Sequence, residues 1–201
     1  MLKMLDTIRL KWHPLHHLRS IPLLRKNLAK LDFPIWVKLY GINHKAQIRS
    51  VRNASYLLST RIIEPEIGAL FIAISKVLSP KVFWDVGANI GYYSWLLNSN
   101  TKDLEVFLFE PDPINYQLLI HTIERYKLYN LKPFATAISD GIGKADFAVD
   151  SDSGATGTLE KAGKSFSSRH YKVLPKTIVV EKTSIDEVRW NIEKNQLISL
   201  K

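Results

Sequence analysis

The amino-acid sequence predicts an α/β protein with a doubly wound parallel sheet, preceded by a helical extension and a β-hairpin. From residue 64 onward, helical apolar spacing alternates with short apolar runs, in the order helix, strand, loop, helix, strand. The first two runs, "KVFWD" and "LEVFLFE", each end at an acidic residue, and the first continues into a glycine loop. Strands that alternate with helices need right-handed crossovers, which predict a parallel sheet covered on both faces.

The composition is that of one globular domain, with 201 residues of which 46% are apolar and 23% charged. We divide it into a basic helical extension, residues 1–32, and the domain proper, residues 33–201. The absence of cysteine excludes disulfides, thiolate metal sites and cysteine nucleophiles. Because no apolar stretch reaches the roughly 20 residues of a membrane span, we expect a soluble protein, and the lack of cysteine is compatible with the cytoplasm.

The net charge of +9 is concentrated at the front of the chain. Residues 1–61 contain 12 Lys and Arg but only two acids, whereas the remainder contains 16 basic and 17 acidic residues. A basic segment interleaved with apolar residues is most often the solvated face of a helix. Peripheral contact with an anionic membrane is the second interpretation, and nucleic-acid binding is the less favoured third.

The first 30 residues are predicted to be helical in pieces broken by Pro14 and Pro22. After them, "IWVKLYG" alternates apolar and polar residues and turns into "AQIRSVRN", which predicts a β-hairpin. A helix is predicted from Glu64 to the Ser79–Pro80 stop, with Pro65 in its first turn. Its apolar residues follow helical spacing: Ile67, Leu70, Phe71, Ile74, Val77 and Leu78.

A second helix is predicted after "FEPDP", with Asp112 as N-cap and Pro113 at its first position. Ile114, Leu118 and Ile123 are expected to face inward. Residues 131–138, "LKPFATAI", then predict one buried strand.

Beyond Asp140 the pattern changes to an antiparallel excursion, with period-two alternation in "GKADFAVD" and a β-rich run in "KTIVVEKT". Between these runs, Asp150 and Asp152 are expected to be solvated. "SIDE" at 184–187 is a capping box that opens a short helix, and "QLISLK" begins a further strand.

The candidate site lies where strands end, because ligands of doubly wound sheets bind beyond the carboxyl ends of the strands. The loop after the first parallel strand contributes Asp85, Gly87, Asn89 and Gly91, and Glu110 ends the next strand. A carboxylate at this second position can accept hydrogen bonds from both ribose hydroxyls of an adenosine. The sequence therefore predicts an adenosine-containing ligand.

The loop favours a ligand without phosphate. The dinucleotide fingerprint needs a second glycine so that the backbone can approach a pyrophosphate, and Asn89 stands in that place. Asp85 would also repel phosphate. S-adenosylmethionine has ribose hydroxyls, a sulfonium and an amino-acid end, so methyl transfer is favoured over hydride transfer. A nicotinamide-dependent oxidoreductase stays as the alternative enzyme class.

The segments "FWDVGANIGYYS", "FEPDPINYQLL" and "AISDGIGKADF" resemble the FkbM family of methyltransferases. The resemblance implies a Rossmann-like class I methyltransferase sheet, S-adenosylmethionine as cofactor, and hydroxyls of sugars or small metabolites as acceptors. It also implies that the four loop residues and Glu110 bind the cofactor, and that Ile138, Ser139 and Asp140 border its adenine. Members resembling this chain continue after "LISLK" into an acidic "DVEG"-like block, so we expect a sheet that is incomplete at its C-terminal side and a truncated chain.

Several positions keep a structural alternative. Asp85 can cap the following helix, and Gly87 and Gly91 can serve only the turn. Because no residue is singled out as the catalytic base, an inactive cofactor-binding remnant also stays open. His121 is expected to be a surface residue, and the irregular spacing of the N-terminal histidines predicts no metal site.

Overall fold

A computed structural model describes residues 21–58, 64–151, 154–159, 168 and 174–188 of the protein. The helices with defined bounds are α1 (Pro22–Lys30), α2 (Ala54–Leu58), α3 (Pro65–Leu78), α4 (Tyr92–Asn100) and α5 (Pro113–Tyr126). The strands are β1 (Pro34–Val37), β2 (Ala46–Arg49), β3 (Val82–Val86), β4 (Glu105–Phe109), β5 (Leu131–Phe134), β6 (Thr136–Ile138), β7 (Gly143–Ala148) and β8 (Thr177–Thr183). Together they form an α/β protein, as the sequence predicts.

The predicted hairpin is confirmed as the antiparallel pair β1–β2, in which Pro34 lies opposite Arg49. The alternation of β2 buries Ala46 and Ile48, both fully excluded from solvent. The backbone N–H of Gln47 donates to Thr122 Oγ1 of α5 at 3.0 Å. The hairpin is therefore packed against the helix that follows the second strand of the parallel sheet.

Strands β3, β4 and β5 form a parallel sheet in that order, with α4 and α5 as the connections. Val82 lies opposite Glu105, and Val106 lies opposite Leu131. Parallel pairing places the carboxyl ends of β3 and β4 side by side, which fixes the position of the candidate site. The main core lies around β4, where Val106 and Leu108 are completely buried.

A second sheet has the order β6–β8–β7, with β6 parallel and β7 antiparallel to β8. The predicted antiparallel excursion is confirmed. The prediction of one buried strand over residues 131–138 is wrong, because the chain bends at Ala135 and β5 and β6 join different sheets. Pro133 in β5 has no N–H to donate to a neighbouring strand. Proline is therefore tolerated in β5, which is a short edge strand of the described sheet.

Helix α3 has the predicted bounds, but most of its apolar stripe does not face the core. Leu70 is 58% exposed and Val77 is 80% exposed, whereas Gly68 and Ser75 are buried. Phe71 and Ile72 pack against the core, and the ring centroid of Phe71 lies 5.7 Å from that of Phe83. The spacing of apolar residues thus predicted the helix but not which of its faces would be covered.

Helix α5 begins as predicted, with Asp112 accepting a hydrogen bond from Ile114 N at 2.9 Å. Leu118 and Ile123 are buried, but Ile114 is 44% exposed, so its expected inward position is wrong. The predicted cap at Ser184 is confirmed, since Glu187 N donates to Ser184 Oγ at 3.2 Å. Within the described part of the chain, no helix combines the length and apolar character that crossing a membrane requires.

Several predictions fall outside the described residues. They concern the first 20 residues with their basic helices and histidines, Asp152, and the strand that "QLISLK" would begin.

Candidate functional site

The loop after β3 is built on left-handed backbone. Gly87 and Gly91 have φ values of 74° and 80°, and Asn89 between them has a φ of 53°. The N–H groups of Gly87 and Ala88 both donate to Phe109 O, at 2.9 and 3.0 Å, which ties the loop to the end of β4. A Cβ on Gly91 would lie 2.6 Å from Trp95 Cε2, so this position has no room for a side chain.

Asp85 lies within β3, one residue before its end, and is 9% exposed. Its Oδ2 accepts a hydrogen bond from Ser94 Oγ of α4 at 2.5 Å. Burial raises the pKa of this carboxyl group, and the hydrogen bond from Ser94 opposes the rise. Asp85 therefore links β3 to α4 through the Ser94 side chain, and it does not line the cavity at this edge of the sheet.

Glu110 follows β4 directly and is 4% exposed. Its Oε2 accepts from the backbone N–H of Asn89 at 2.6 Å, and its Oε1 accepts from that of Asp112 at 2.8 Å. Burial raises the pKa of Glu110 to about 7, while these two backbone hydrogen bonds act in the opposite direction. The structure thus brings together the loop after β3 and the acid after β4, as the strand-end argument predicts.

A buried ion pair flanks Glu110. Arg52, in the turn after β2, bonds the Asp112 carboxylate through its guanidinium, and the two side chains are 2% and 3% exposed. The same guanidinium donates to Asp150 O at 2.8 Å. Asp150 is itself buried, and its Oδ2 accepts from Thr156 Oγ1 at 2.7 Å, so the expectation that it is solvated is wrong. The hairpin, α5 and the polar turn after β7 all meet at this point.

Glu110 and Asp112 border a cavity of about 90 Å³ at the carboxyl edge of the parallel sheet. Small-molecule pockets typically measure about 300–1,000 Å³, so this cavity is large enough for only one part of such a ligand. None of the described residues that line it is Lys, Arg or His. The lining consists of Gly87, Asn89, Glu110, Pro111, Asp112, Asn115, Phe147, Gly154, Ala155 and Gly157.

Two of the lining residues hold acceptor atoms without a partner among the described residues, Oδ1 of Asn89 and Oδ1 of Asn115. Asn115 is 1% exposed, and its Nδ2 donates to Gly154 O at 2.8 Å. A buried acceptor without a partner is uncommon in folded proteins, because leaving it unpaired costs free energy. A ligand that donates a hydrogen bond to such an atom would remove that cost.

Ile138, Ser139 and Asp140 lie at the end of β6, in the second sheet, and none of them lines the cavity. Ser139 N donates to Thr183 O at 2.8 Å, and Lys182 Nζ donates to Asp140 Oδ1 at 2.8 Å. The Asp140 side chain is 87% exposed, and its hydrogen bond from Lys182 lowers its pKa. The role of these three residues beside an adenine stays a prediction.

The sequence alone did not identify Arg52, Asn115 or Phe147 as parts of the site. Arg52 is one of 12 basic residues in the first 61, and nothing in its neighbours distinguishes it. Asn115 offers a weak signal, because a polar residue at a position that α5 buries requires a partner. His121 has its Nδ1 2.7 Å from Gln47 Oε1, and no group of three metal-ligating side chains occurs in the described ranges.

The model of the methyltransferase FkbM domain matches residues 85–201, more than half of the chain. The chain belongs to this family. Methyltransferases of the FkbM family generally use S-adenosylmethionine. A methyltransferase from Geobacter sulfurreducens is a similar solved structure, with 17% sequence identity and a TM-score of 0.33. The similarity covers 38% of this FkbM-domain chain and 41% of the Geobacter chain. None of the curated proteins matches.

Proposed function

We propose that this FkbM-domain protein binds S-adenosylmethionine at the carboxyl edge of the parallel sheet and transfers its methyl group to a hydroxyl of a sugar or small metabolite. The observation that carries the proposal is the position of Glu110. Its carboxylate follows β4, is buried beside the cavity, and contacts the backbone of the loop after β3. Membership of the FkbM family supports methyl transfer as the reaction, and the position of Glu110 supports the cavity as the binding site of the cofactor.

The hydrogen-bonding groups of the cavity suit an adenosine. Each Glu110 oxygen accepts one backbone N–H, and a carboxylate oxygen can accept a second donor. The two oxygens can therefore receive the two ribose hydroxyls. The unpaired Oδ1 atoms of Asn89 and Asn115 add further acceptors, so the cavity matches a ligand that presents several donors.

The same groups disfavour a dinucleotide. A pyrophosphate needs backbone N–H groups or cations, and the described lining contributes carboxylates and amide oxygens but no basic side chain. The N–H of Asn89 in the loop already donates to Glu110. We therefore place nicotinamide chemistry second.

S-adenosylmethionine, when bound, would supply an electrophilic methyl group for transfer to an acceptor hydroxyl, with S-adenosylhomocysteine as the leaving group and the hydroxyl proton going to a base or to water. Glu110 would hold the ribose. The left-handed turn from Gly87 to Gly91 would give the rest of the cofactor a close approach to the backbone. Because the displacement is in line, fixing the cofactor at the ribose contributes to the rate through orientation.

Calorimetry with S-adenosylhomocysteine and with NAD tests the proposal. We expect the wild type to bind S-adenosylhomocysteine and not NAD, and Glu110→Gln to bind it at least about tenfold more weakly, since one charged acceptor is lost. Glu105→Gln is the matched control, because Glu105 begins the same strand, is partly exposed, and pairs with Lys132. Binding of NAD alone would favour the oxidoreductase, and equal losses in both variants would remove Glu110 from the site.

The finer points of this function are part of the proposal. The order β3–β4–β5 with helical connections supports one half of a doubly wound, Rossmann-like sheet. A cytoplasmic location is compatible with the absence of cysteine. Peripheral membrane contact by residues 1–32 is the second interpretation of the basic charge in the first 61 residues, after a solvated helix face. Transfer of a labelled methyl group to sugars and other hydroxyl compounds would identify the acceptor class.

A further inference from the structure

The end of the cavity beyond Glu110 is formed by α5 and by the segment after β7. Asn115 lies in the first turn of α5, and Phe147, Gly154 and Gly157 come from β7 and the residues after it. Phe147 supplies an aromatic ring to the lining while remaining 6% exposed. A Cβ on Gly157 would lie 2.3 Å from Phe147 Cζ, so glycine leaves the space that this ring occupies.

The amide of Asn115 has a fixed orientation. Its Nδ2 donates to the carbonyl oxygen of Gly154 at 2.8 Å, and only the amino side of an amide can donate to a carbonyl. The opposite atom, Oδ1, is consequently presented as an acceptor. That atom is buried in a residue that lines the cavity and has no partner among the described residues.

We propose that Asn115 is a specificity-determining residue, whose Oδ1 accepts a hydrogen bond from the 6-amino group of the adenine, with Phe147 beside the base. This inference rests on the proposed function. If the two Glu110 oxygens receive the two ribose hydroxyls, the remaining donors of the cofactor are this amino group and the ammonium of its amino-acid end. The aromatic ring of Phe147 in the same lining favours the base. An aromatic ring and an amide oxygen at one end of a cavity suit a planar base that carries an N–H donor.

The proposal predicts discrimination against a base that carries an oxygen at the same position. S-inosylhomocysteine differs from S-adenosylhomocysteine in having a 6-oxo group, which would face Asn115 Oδ1 as a second acceptor. A site built to receive a donor rejects an analogue that lacks it, because the buried group is left without a partner. We expect the wild type to bind the inosine compound at least about tenfold more weakly.

Calorimetry of the wild type with both compounds is the first measurement, and it does not depend on any variant folding. The second uses Asn115→Leu, which removes the amide while keeping a similar shape, with Gln117→Leu as control. Gln117 is exposed on the same helix, so it undergoes the same amide-to-leucine change away from the cavity. We expect the preference for adenine to disappear in Asn115→Leu and to persist in Gln117→Leu.

The outcomes separate this inference from the proposed function. Equal binding of both compounds by the wild type would overturn the role of Asn115 and leave methyl transfer intact. Retention of the adenine preference in a folded Asn115→Leu protein would do the same. Failure of the wild type to bind either compound would instead remove the proposed function. If Asn115→Leu does not fold, the comparison of the two compounds on the wild type decides alone, and equal binding there contradicts the inference.

Discussion

Acidic residues follow two strands of this molecule, Glu110 after β4 and Asp140 close after β6, and they stand in opposite surroundings. Glu110 is 4% exposed and accepts hydrogen bonds from two backbone N–H groups. The Asp140 side chain is 87% exposed and pairs with Lys182. In the sequence both acids end apolar runs, and both were expected beside the cofactor.

The difference lies in what covers each strand end. Over β4, the first turn of α5 and the loop after β3 enclose Glu110, and Arg52 from the hairpin neutralises the neighbouring Asp112. At the end of β6, the described contacts of Asp140 are with Ser139 and Lys182, and they leave it in solvent. An acid at a strand end therefore becomes a candidate ligand only when segments distant in sequence bury it.

The largest expected effect comes from removing Arg52. Arg52→Leu leaves the Asp112 carboxylate buried without its partner, and breaking a buried pair in this way typically costs about 3–5 kcal/mol of unfolding free energy. Urea denaturation followed by tryptophan fluorescence measures the loss. Lys182→Met, which breaks the exposed pair after β6, is expected to leave the midpoint unchanged.

The double variant Arg52→Leu/Asp112→Asn sharpens this test. Asparagine keeps an oxygen that can cap α5 but carries no charge, so part of the lost stability should return. A double variant as unstable as Arg52→Leu alone would show that packing rather than charge is responsible.

The second effect is a dependence of stability on pH. Burial raises the pKa of Glu110 from 4.5 to about 7 in the folded protein. Between these pH values Glu110 is protonated in the folded state and ionised in the unfolded state. The contribution of Glu110 to the unfolding free energy is therefore greatest below pH 4.5 and falls as the pH rises to about 7. The slope is at most about 1.4 kcal/mol per pH unit. Chemical denaturation at a series of pH values should show a shallower decline in Glu110→Gln, and an unchanged slope would mean that Glu110 does not titrate in this window.

A third prediction compares Gly154, which lies against Arg52, with Gly141, which is next to Asp140. Gly154 has a φ of 67°, and a Cβ there would lie 2.5 Å from Arg52 Nε. Gly154→Ala should lower the unfolding free energy by about 1–3 kcal/mol through backbone strain and displacement of Arg52. Gly141, close to Asp140, has nothing within 4 Å of a built Cβ. Gly141→Ala is expected to stay within about 0.5 kcal/mol of the wild type.

The smallest effect is expected from Asp140→Asn. Because the side chain is exposed and lies outside the cavity lining, neither the denaturation midpoint nor the affinity for S-adenosylhomocysteine should change measurably. Calorimetry of Asp140→Asn and Glu110→Gln with S-adenosylhomocysteine compares the two affinities. A comparable loss of affinity in both variants would place Asp140 at the cofactor and end the contrast between the two strand ends.

Local patterns in the sequence predicted the local structure. The hairpin, the bounds of α3 and the caps at Asp112 and Ser184 depend on neighbouring residues, and each is present. The contact between the loop after β3 and Glu110 was also predictable, because parallel strands bring their carboxyl ends together.

Properties that depend on distant segments were not predictable. The burial of Asp150 follows from the approach of Arg52, and the exposure of the apolar stripe of α3 depends on what packs against it. Residues 131–138 are divided between two sheets because β5 pairs with β4 and β6 pairs with β8. Each of these outcomes is decided by residues far along the chain, which a local pattern does not contain.

The ion pair of Arg52 has a consequence for folding kinetics. Its partners lie 60 residues away at Asp112 and 98 residues away at Asp150. Contacts of such long range form slowly, because a long loop must close before they contribute any stabilisation. During synthesis on the ribosome, Arg52 would therefore emerge well before either partner, and its charge would stay hydrated until the segment around Asp150 had been made.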